Sequence, residues 1–396
     1  MTAEQLTQEL THELAQYSPG IGRLRPAPLE DWLRDYYFTA DLDISSSGVQ
    51  PYSMAELRQK TGLSLDELDA LEFSDGYSLG SMGVRAEIAR RWGDGDLNKV
   101  MTTSGSSEAI SLVLTALIRP SDEVVVVQPG YHLLTEFVAA LGCRTRTWNL
   151  DAGNGWSASL DELADVVTER TRAIVVNFPH NPTGATISED QLRGLVRIAN
   201  RVGAYILWDA AFADLVYDAD PLLDVSLLYH RGISFGTFSK AFGLPGLRFG
   251  WCVAPPDVLT ECVRIRDYTT LHLSPLVELL AQHVLENADR FLVPRLEQAR
   301  LNRKLLRDWV DSQSGAVRLD LPTGGVAAFP RLERVPDVDQ FCEDLLRKHG
   351  VLLIPGSCFG VPQHVRLGFG GATDELARGL EILGDQLAAV STGPAV

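Results

Sequence analysis

Five short apolar runs constrain this chain more than any other feature: "EVVVVQ" at 123–128, "AIVVNF" at 173–178, "YILWD" at 205–209, "ISFGTF" at 233–238 and "FGWCV" at 249–253. They are apolar nearly throughout instead of alternating, which a strand requires only when both faces of its sheet are covered. Between them lie longer stretches with apolar residues at helical spacing, such as "SSEAISLVLTALI" at 106–118. That alternation predicts an α/β domain whose mostly parallel sheet carries helices on both faces. The chain has 396 residues, too many for one small core. After about residue 292 its character changes: a basic helical stretch, "RLEQARLNRKLLRDWV", gives way to short strands punctuated by Gly and Pro. We therefore expect a large domain over 46–291 and a smaller α+β domain over 292–396. Residues 1–45 should pack with the smaller domain or lie across the cleft as an N-terminal arm.

In open α/β sheets ligands collect beyond the carboxyl ends of the strands. Unusual side chains follow the runs there: Asn181 after the second, Asp209 ending the third and Lys240 after the fourth. The partner at that edge is not nucleic acid or an anionic membrane, because a net charge of −17 offers neither a basic face. No stretch approaches 18 consecutive apolar residues, and the start "MTAEQLTQEL" lacks a basic region followed by an apolar one, so a cytoplasmic location is expected. The five cysteines are scattered, odd in number and without a CxxC pair, which predicts reduced thiols and no metal site.

The segment "SFGTFSKAFGLPGLRFGW" at 234–251 carries the sharpest chemical signal. Between residues 232 and 254 its Lys240 and Arg248 are the only charged side chains. Apolar surroundings lower a lysine's pKa, and the neutral amine can then condense with an aldehyde. Arg248 offers a rigid fork of donors suited to phosphate, and Thr237 and Ser239 add hydroxyls beside it. A phosphate-bearing aldehyde uses both cations, whereas a solvated, snorkelling lysine leaves Arg248 without a purpose. Asp209 ends an apolar strand, so it needs either a cationic partner or a helix N-terminus to cap.

The run "SKAFGLPGLRFG" resembles the lysine motif of fold-type I pyridoxal phosphate enzymes in the aminotransferase class I and II family. Other motifs resemble that family at matching intervals, over roughly residues 45–370. The resemblance implies that Lys240 holds the cofactor's aldehyde carbon and moves protons. It implies that Gly105, Ser106 and Ser107 of "TSGSSEA" bind the phosphate together with Thr237, Ser239 and Arg248. It further places Tyr131 of "QPGYHLL" on the ring face, Asn181 of "NFPHNPTG" at the phenolic oxygen and Asp209 at the ring nitrogen. Arg366 of "HVRLGFG" should grip the substrate's α-carboxylate, with Asn181 and with Gly48 of "DISSSGV" beside it. A cis bond at Asn181–Pro182 is expected, as is a homodimer.

Two departures from the family pattern bear on the reaction. Where aminotransferases commonly read "DExY" after the aspartate, this chain reads "DAAF", so Phe212 meets the cofactor without a hydroxyl. Asp75 of "FSDGYSLG" stands where many relatives carry a Tyr that reaches the partner subunit's phosphate; Tyr77 is a substitute, and Asp75 is expected to turn away or to meet a cationic substrate. Longer runs, "LEDWLRDYYF", "YILWDAAF" and "RIRDYTTLHLSPLVE", resemble a branch of the family. Its members are cyclases in the making of streptothricin- and tuberactinomycin-type peptide antibiotics. This implies a β-hydroxylated L-arginine as substrate, closed to a cyclic guanidine amino acid after loss of water. A plain aminotransferase or β-lyase is the alternative. The sequence does not show which acidic side chain holds the guanidinium.

Overall fold

A computed structural model describes residues 24–392. The start "MTAEQLTQEL", read above as lacking a leader, and the end of the polar tail lie outside the described residues. After a two-residue strand β1 (Leu42–Asp43), the chain builds one seven-stranded sheet. Its strands are β2 (Val100–Thr103), β3 (Glu123–Gln128), β4 (Arg144–Asn149), β5 (Thr171–Asn177), β6 (Tyr205–Asp209), β7 (Gly232–Thr237) and β8 (Gly250–Val253). Their order across the sheet is β2-β8-β7-β6-β5-β3-β4.

Four of the five apolar runs lie in parallel strands, and the fifth does not: β8 runs antiparallel to both β7 and β2. Only residues 238–249 join β7 to β8, with no crossover helix, and a direct return reverses the strand. A continuous apolar composition reports burial on both faces, not direction. Two strands were not read from the sequence. In β4, "RTRTWN", only Trp148 is buried because the strand is at the sheet's edge, and β2, "VMTT", is buried but half polar.

Helices cover both faces. On one, α2 (Gly105–Leu117) presses Ile110, Val113, Leu114 and Leu117 into a cluster with Val124, Ile233 and Phe235. On the other, Leu192, Leu195 and Ala199 of the helix Glu189–Val202 pack with Val125, Ile174 and Ile206. The alternation of Val124 and Val125 between the two clusters is the strand's two-residue period. Each such buried aliphatic side chain contributes about 1.5–3 kcal/mol over its exposed state.

The smaller sheets draw on residues 317–368 and on β1, which pairs in parallel with Val351–Leu352. Just before β1 stands helix α1 (Pro28–Tyr36), with a proline in its first turn and Glu30 and Asp31 there to complement the helix dipole. Leu29, Trp32, Leu33 and Tyr36 recur at helical spacing and anchor it. Leu29 is 3% exposed, in one cluster with Val127 and Phe178 of the large sheet and Ile354 and Phe359 of the small region. The Trp32 indole donates to the Leu353 carbonyl at 3.0 Å, and the Tyr36 hydroxyl to Glu343 Oε1 at 3.0 Å. Thus α1 is fastened where the two parts of the molecule meet. Among the described residues no helix is long and apolar enough to cross a membrane, no metal-ligand cluster occurs, and all five cysteines are free.

Candidate active site

The direction of β8 assembles the site. Thr103, Asn177, Asp209 and Thr237 end parallel strands at one edge of the sheet, and β8 begins at that same edge, with Gly250 opposite both Thr103 and Thr237. Arg248, two residues before Gly250, therefore arrives among the strand ends. A cavity of about 390 Å³ opens there. It is lined by Ser106, Ser107, Tyr131, Asn181, Asp209, Phe212 and Thr237, and from the β7–β8 loop and the small sheet by Ser239, Lys240, Arg248 and Arg366.

One corner suits a phosphate. Ser104 caps α2 without a side-chain hydrogen bond, so the N–H groups of Gly105, Ser106 and Ser107, at the positive end of the helix dipole, are left to receive an anion. Gly105 has φ +75°, and a Cβ there would sit 2.6 Å from Arg248 Nη2; only glycine lets the guanidinium come this close. Arg248 itself is left-handed, φ 52°, a conformation costing an L-residue on the order of 1–2 kcal/mol. Its Nη1 donates to Ser239 Oγ at 3.3 Å and to the Pro245 carbonyl at 3.1 Å. Thr237 Oγ1 accepts from the Ser239 amide at 3.1 Å, which fixes the turn.

The Lys240 Nζ donates to Ser47 Oγ at 2.8 Å and lies 5.8 Å from the centre of the Phe212 ring. Burial, helped by the neighbouring Arg366, lowers its pKa to about 8, while Asp209 and Glu30 pull the other way. Asp209 is 7% exposed, and its Oδ1 accepts from the Ala211 amide at 3.1 Å. Burial raises its carboxyl to about 6 against that hydrogen bond and the charge of Lys240. A buried carboxylate displaced this far is short of a cation, and a protonated ring nitrogen supplies one.

Arg366 is buried, its Nε donating to the Ser45 carbonyl at 3.1 Å and its Nη1 to Asn181 Oδ1 at 3.4 Å. Burial brings its pKa down to about 10, opposed by the charge of Asp43. Asn181 follows Asn177, whose Oδ1 accepts the Asn181 amide at 2.8 Å and whose Nδ2 donates to the Asp209 carbonyl at 2.9 Å. The Asn181–Pro182 bond is cis. The unclaimed N–H groups of α2, the glycine at 105, the displaced carboxyl of Asp209 and the amine of Lys240 together fit pyridoxal phosphate.

Some residues lie outside this cavity. Gly48 does not line it but passes behind Ser239, where a Cβ would meet the Ser239 carbonyl at 3.2 Å. Asp75 is fully exposed and pairs with His272 Nε2 at 3.2 Å, turned away from the cavity, and Tyr77 is 66% exposed. Two residues that sequence reasoning missed do belong: Ser47, the hydroxyl at Lys240, and Glu30 of α1. Glu30 also lines an outer chamber of about 390 Å³ with Asp43, Phe38 and Arg34, and the two spaces share Glu30, Leu33, Ser47, Lys240 and Arg366. A further cavity of about 400 Å³, between Trp92, Trp208 and Leu222, is mainly apolar and holds none of these groups.

Known proteins share this fold. The chain is 49% identical to capreomycidine synthase of Streptomyces vinaceus over 376 residues, 94% of this chain and 97% of that protein. It superposes on the crystal structure of the PLP-dependent cyclase OrfR with a TM-score of 0.89 at 42% identity, covering 94% of this chain and 99% of the other. A PLP-dependent aminotransferase from Streptococcus suis superposes equally well, with a TM-score of 0.90, at 28% identity over 94% and 100% of the two chains. Residues 76–383 match aminotransferase class I and II as a family, and the chain belongs to that family.

Proposed function

We propose that this chain is a cyclase that closes a β-hydroxylated L-arginine to capreomycidine, or to a hydroxylated capreomycidine, in peptide antibiotic biosynthesis. It is a pyridoxal phosphate-dependent enzyme of the aminotransferase class I and II family; the reaction and its substrate are the proposal. The observation that carries it is the 49% identity with capreomycidine synthase along nearly the whole of both chains. Phe212, without the hydroxyl expected of a common aminotransferase, agrees with it.

When bound, pyridoxal phosphate supplies an electron sink for the substrate's α-carbon. The α2 N–H groups, Ser106, Ser107, Thr237, Ser239 and Arg248 would hold its phosphate, Tyr131 its ring face, Asn181 its phenolic oxygen, Asp209 its ring nitrogen and Lys240 its aldehyde carbon. Arg366, fixed by Ser45 and Asn181, grips the α-carboxylate in a charge-assisted fork. Lys240, with its pKa brought to about 8, is a competent base for the α-proton near neutral pH and, once protonated, an acid for the departing β-hydroxyl. A guanidine nitrogen of the same substrate then bonds to the β-carbon, its proton is released and the α-carbon regains one, so one water is lost and every nitrogen is kept. Ring closure is intramolecular, and holding the chain folded gives it a high effective molarity.

Incubating the holoenzyme with β-hydroxyarginine and no keto acid tests this. Loss of one water with all nitrogen retained is expected. Release of ammonia and a keto acid marks a β-lyase instead, and dependence on an added keto acid marks an aminotransferase.

The same reading takes residues 46–291 as the cofactor domain and 1–45 with 292–396 as the smaller one. The pairing of β1 with Val351–Leu352 supports this division. It also takes the enzyme as a homodimer. Phe73, Tyr77, Tyr268 and Leu271 are all more than half exposed around the Asp75–His272 contact, and the neighbouring Thr270 hydrogen-bonds Glu108 in the first turn of α2. An apolar, aromatic patch at the phosphate corner fits a second copy. Sedimentation at micromolar concentration should give about twice the 43.4 kDa mass of the chain.

A further inference from the structure

We infer that Glu30, on the N-terminal helix α1, is the carboxylate that receives the substrate's guanidinium and so selects a cationic amino acid. This rests on the function proposed above and extends it to a residue that neither the motifs nor the lysine loop indicate.

Position comes first. Glu30 lines both the inner cavity and the outer chamber, which meet at Lys240 and Arg366. A substrate gripped by Arg366 at its α-carboxylate and placed with its α-amine near Lys240 has its side chain directed to one of these spaces. The cofactor would fill the inner one against the strand ends, leaving the space bordered by α1. Arginine's side chain is long enough to leave the reacting carbons and fold back, as ring closure demands.

Charge comes second. Around Lys240 the carboxylates are Asp209, Glu30 and Asp43. Asp209 belongs to the ring nitrogen. Asp43 is engaged through Oδ1 by the amide and hydroxyl of Ser45, at 2.8 and 2.6 Å. Glu30's nearest polar neighbours are neutral or weakly basic, its Oε1 lying 3.4 Å from the Tyr131 hydroxyl and 4.0 Å from His132 Nε2, while Lys240 and Arg366 act on it only from farther off. Among the described residues no lysine or arginine lies within 4.0 Å of it. A carboxylate open to the cavity with no lysine or arginine in direct contact suits a planar guanidinium, which it can accept through two parallel hydrogen bonds.

The helix holds Glu30 in place. Leu29, one residue before, is buried between the two parts of the molecule, and Trp32, two residues after, is tied to the Leu353 carbonyl. The carboxylate is thus aimed by a packed element and not by a free loop. The same charge rejects amino acids with a side-chain carboxylate.

Affinity of the holoenzyme for three amino acids, measured by calorimetry, tests the inference: L-arginine, L-citrulline and L-glutamate, none able to lose a β-hydroxyl. Arginine should bind the unaltered enzyme more tightly than citrulline, in which a neutral urea replaces the guanidinium, and glutamate should bind weakest. In Glu30→Gln, arginine affinity should fall by about 10- to 150-fold, the range for a hydrogen bond to a charged group. Citrulline affinity should stay within about twofold and the cofactor's visible absorption should not change; a misfolded helix would lower all three together. Arginine affinity unchanged in Glu30→Gln overturns the assignment. If it falls instead in Asp43→Asn, the assignment passes to Asp43. Preference of the unaltered enzyme for citrulline or glutamate overturns the substrate class itself, whatever the variant does.

Discussion

The inner cavity and the outer chamber share a wall but are built in opposite ways. Around the inner one, Asn177, Asp209 and Thr237 end adjacent strands of one sheet and each is paired with a neighbouring strand, Asn177 with Asp209, Asp209 also with Phe235, and Thr237 with Gly250. Around the outer one, Glu30 stands on a nine-residue helix wedged between the large sheet and the small region, and Asp43 on a two-residue strand paired with Val351–Leu352. The first arrangement holds atoms to a fraction of an ångström, as cofactor chemistry needs. The second can be altered without disturbing the first. One chemical floor can therefore serve many substrates, and its owner is distinguished by the roof.

Lys240→Ala should produce the largest effect. Turnover should fall by at least about 10⁴-fold, because acid and base functions vanish together. If the phosphate corner is independent, the variant still binds pyridoxal phosphate, but without the visible absorption of the lysine-linked form; equilibrium dialysis separates the two. Loss of all binding would break the division of labour between Lys240 and Arg248. The unaltered apo-protein gives a pH test of the same residue. Only the neutral amine captures the aldehyde, so with a pKa of about 8 the capture rate should rise about tenfold per pH unit from 6 to 8 and level off above. A profile still rising steeply at pH 10 would mean that burial does not lower this lysine.

Asp209→Asn ranks next, with turnover lower by about 100-fold or more while the cofactor still binds, because a buried ion pair loses one partner. It also changes stability. The folded apo-protein holds this proton more tightly than the unfolded chain, with a pKa near 6 against 3.8. The apo-protein should therefore lose stability as pH rises from about 4 to 6, by roughly 3 kcal/mol, and no further above 6. The variant should lack that loss, and added cofactor should reverse it in the unaltered protein. Urea midpoints at pH 4 and pH 7 with and without cofactor decide the matter.

The same contrast explains what the sequence made legible. Strand ends announce themselves, because an apolar run that stops at Asn or Asp marks a buried edge, and Lys240 and Arg248 are isolated in an apolar segment. Segments that come together only through the tertiary fold leave no such mark. Ser47 is one serine of three in a row, and nothing local says that its hydroxyl meets an amine 193 residues away. Glu30 reads as a first-turn acid on an amphipathic helix, and it is one. The second role inferred for it depends on α1 lying where the large sheet and the small region meet. The direction of β8 was equally hidden, since composition reports burial and only the short connection from β7 reverses the strand.

Phe212→Tyr should have the smallest effect and sharpens the comparison most. Phe212 is 4% exposed and faces Lys240 from the inner side, where the family pattern implies a hydroxyl in aminotransferases. A new hydroxyl there is worth about one neutral hydrogen bond, which limits the change in turnover to roughly tenfold. If the floor carries part of the choice between cyclisation and transamination, the variant should form detectable keto acid when pyruvate is added. If the roof carries all of it, keto acid stays at the background of the unaltered enzyme, whereas Glu30→Gln alone changes which amino acids bind. Measuring both products in both variants separates control of the reaction, tested at Phe212, from control of the substrate, tested at Glu30.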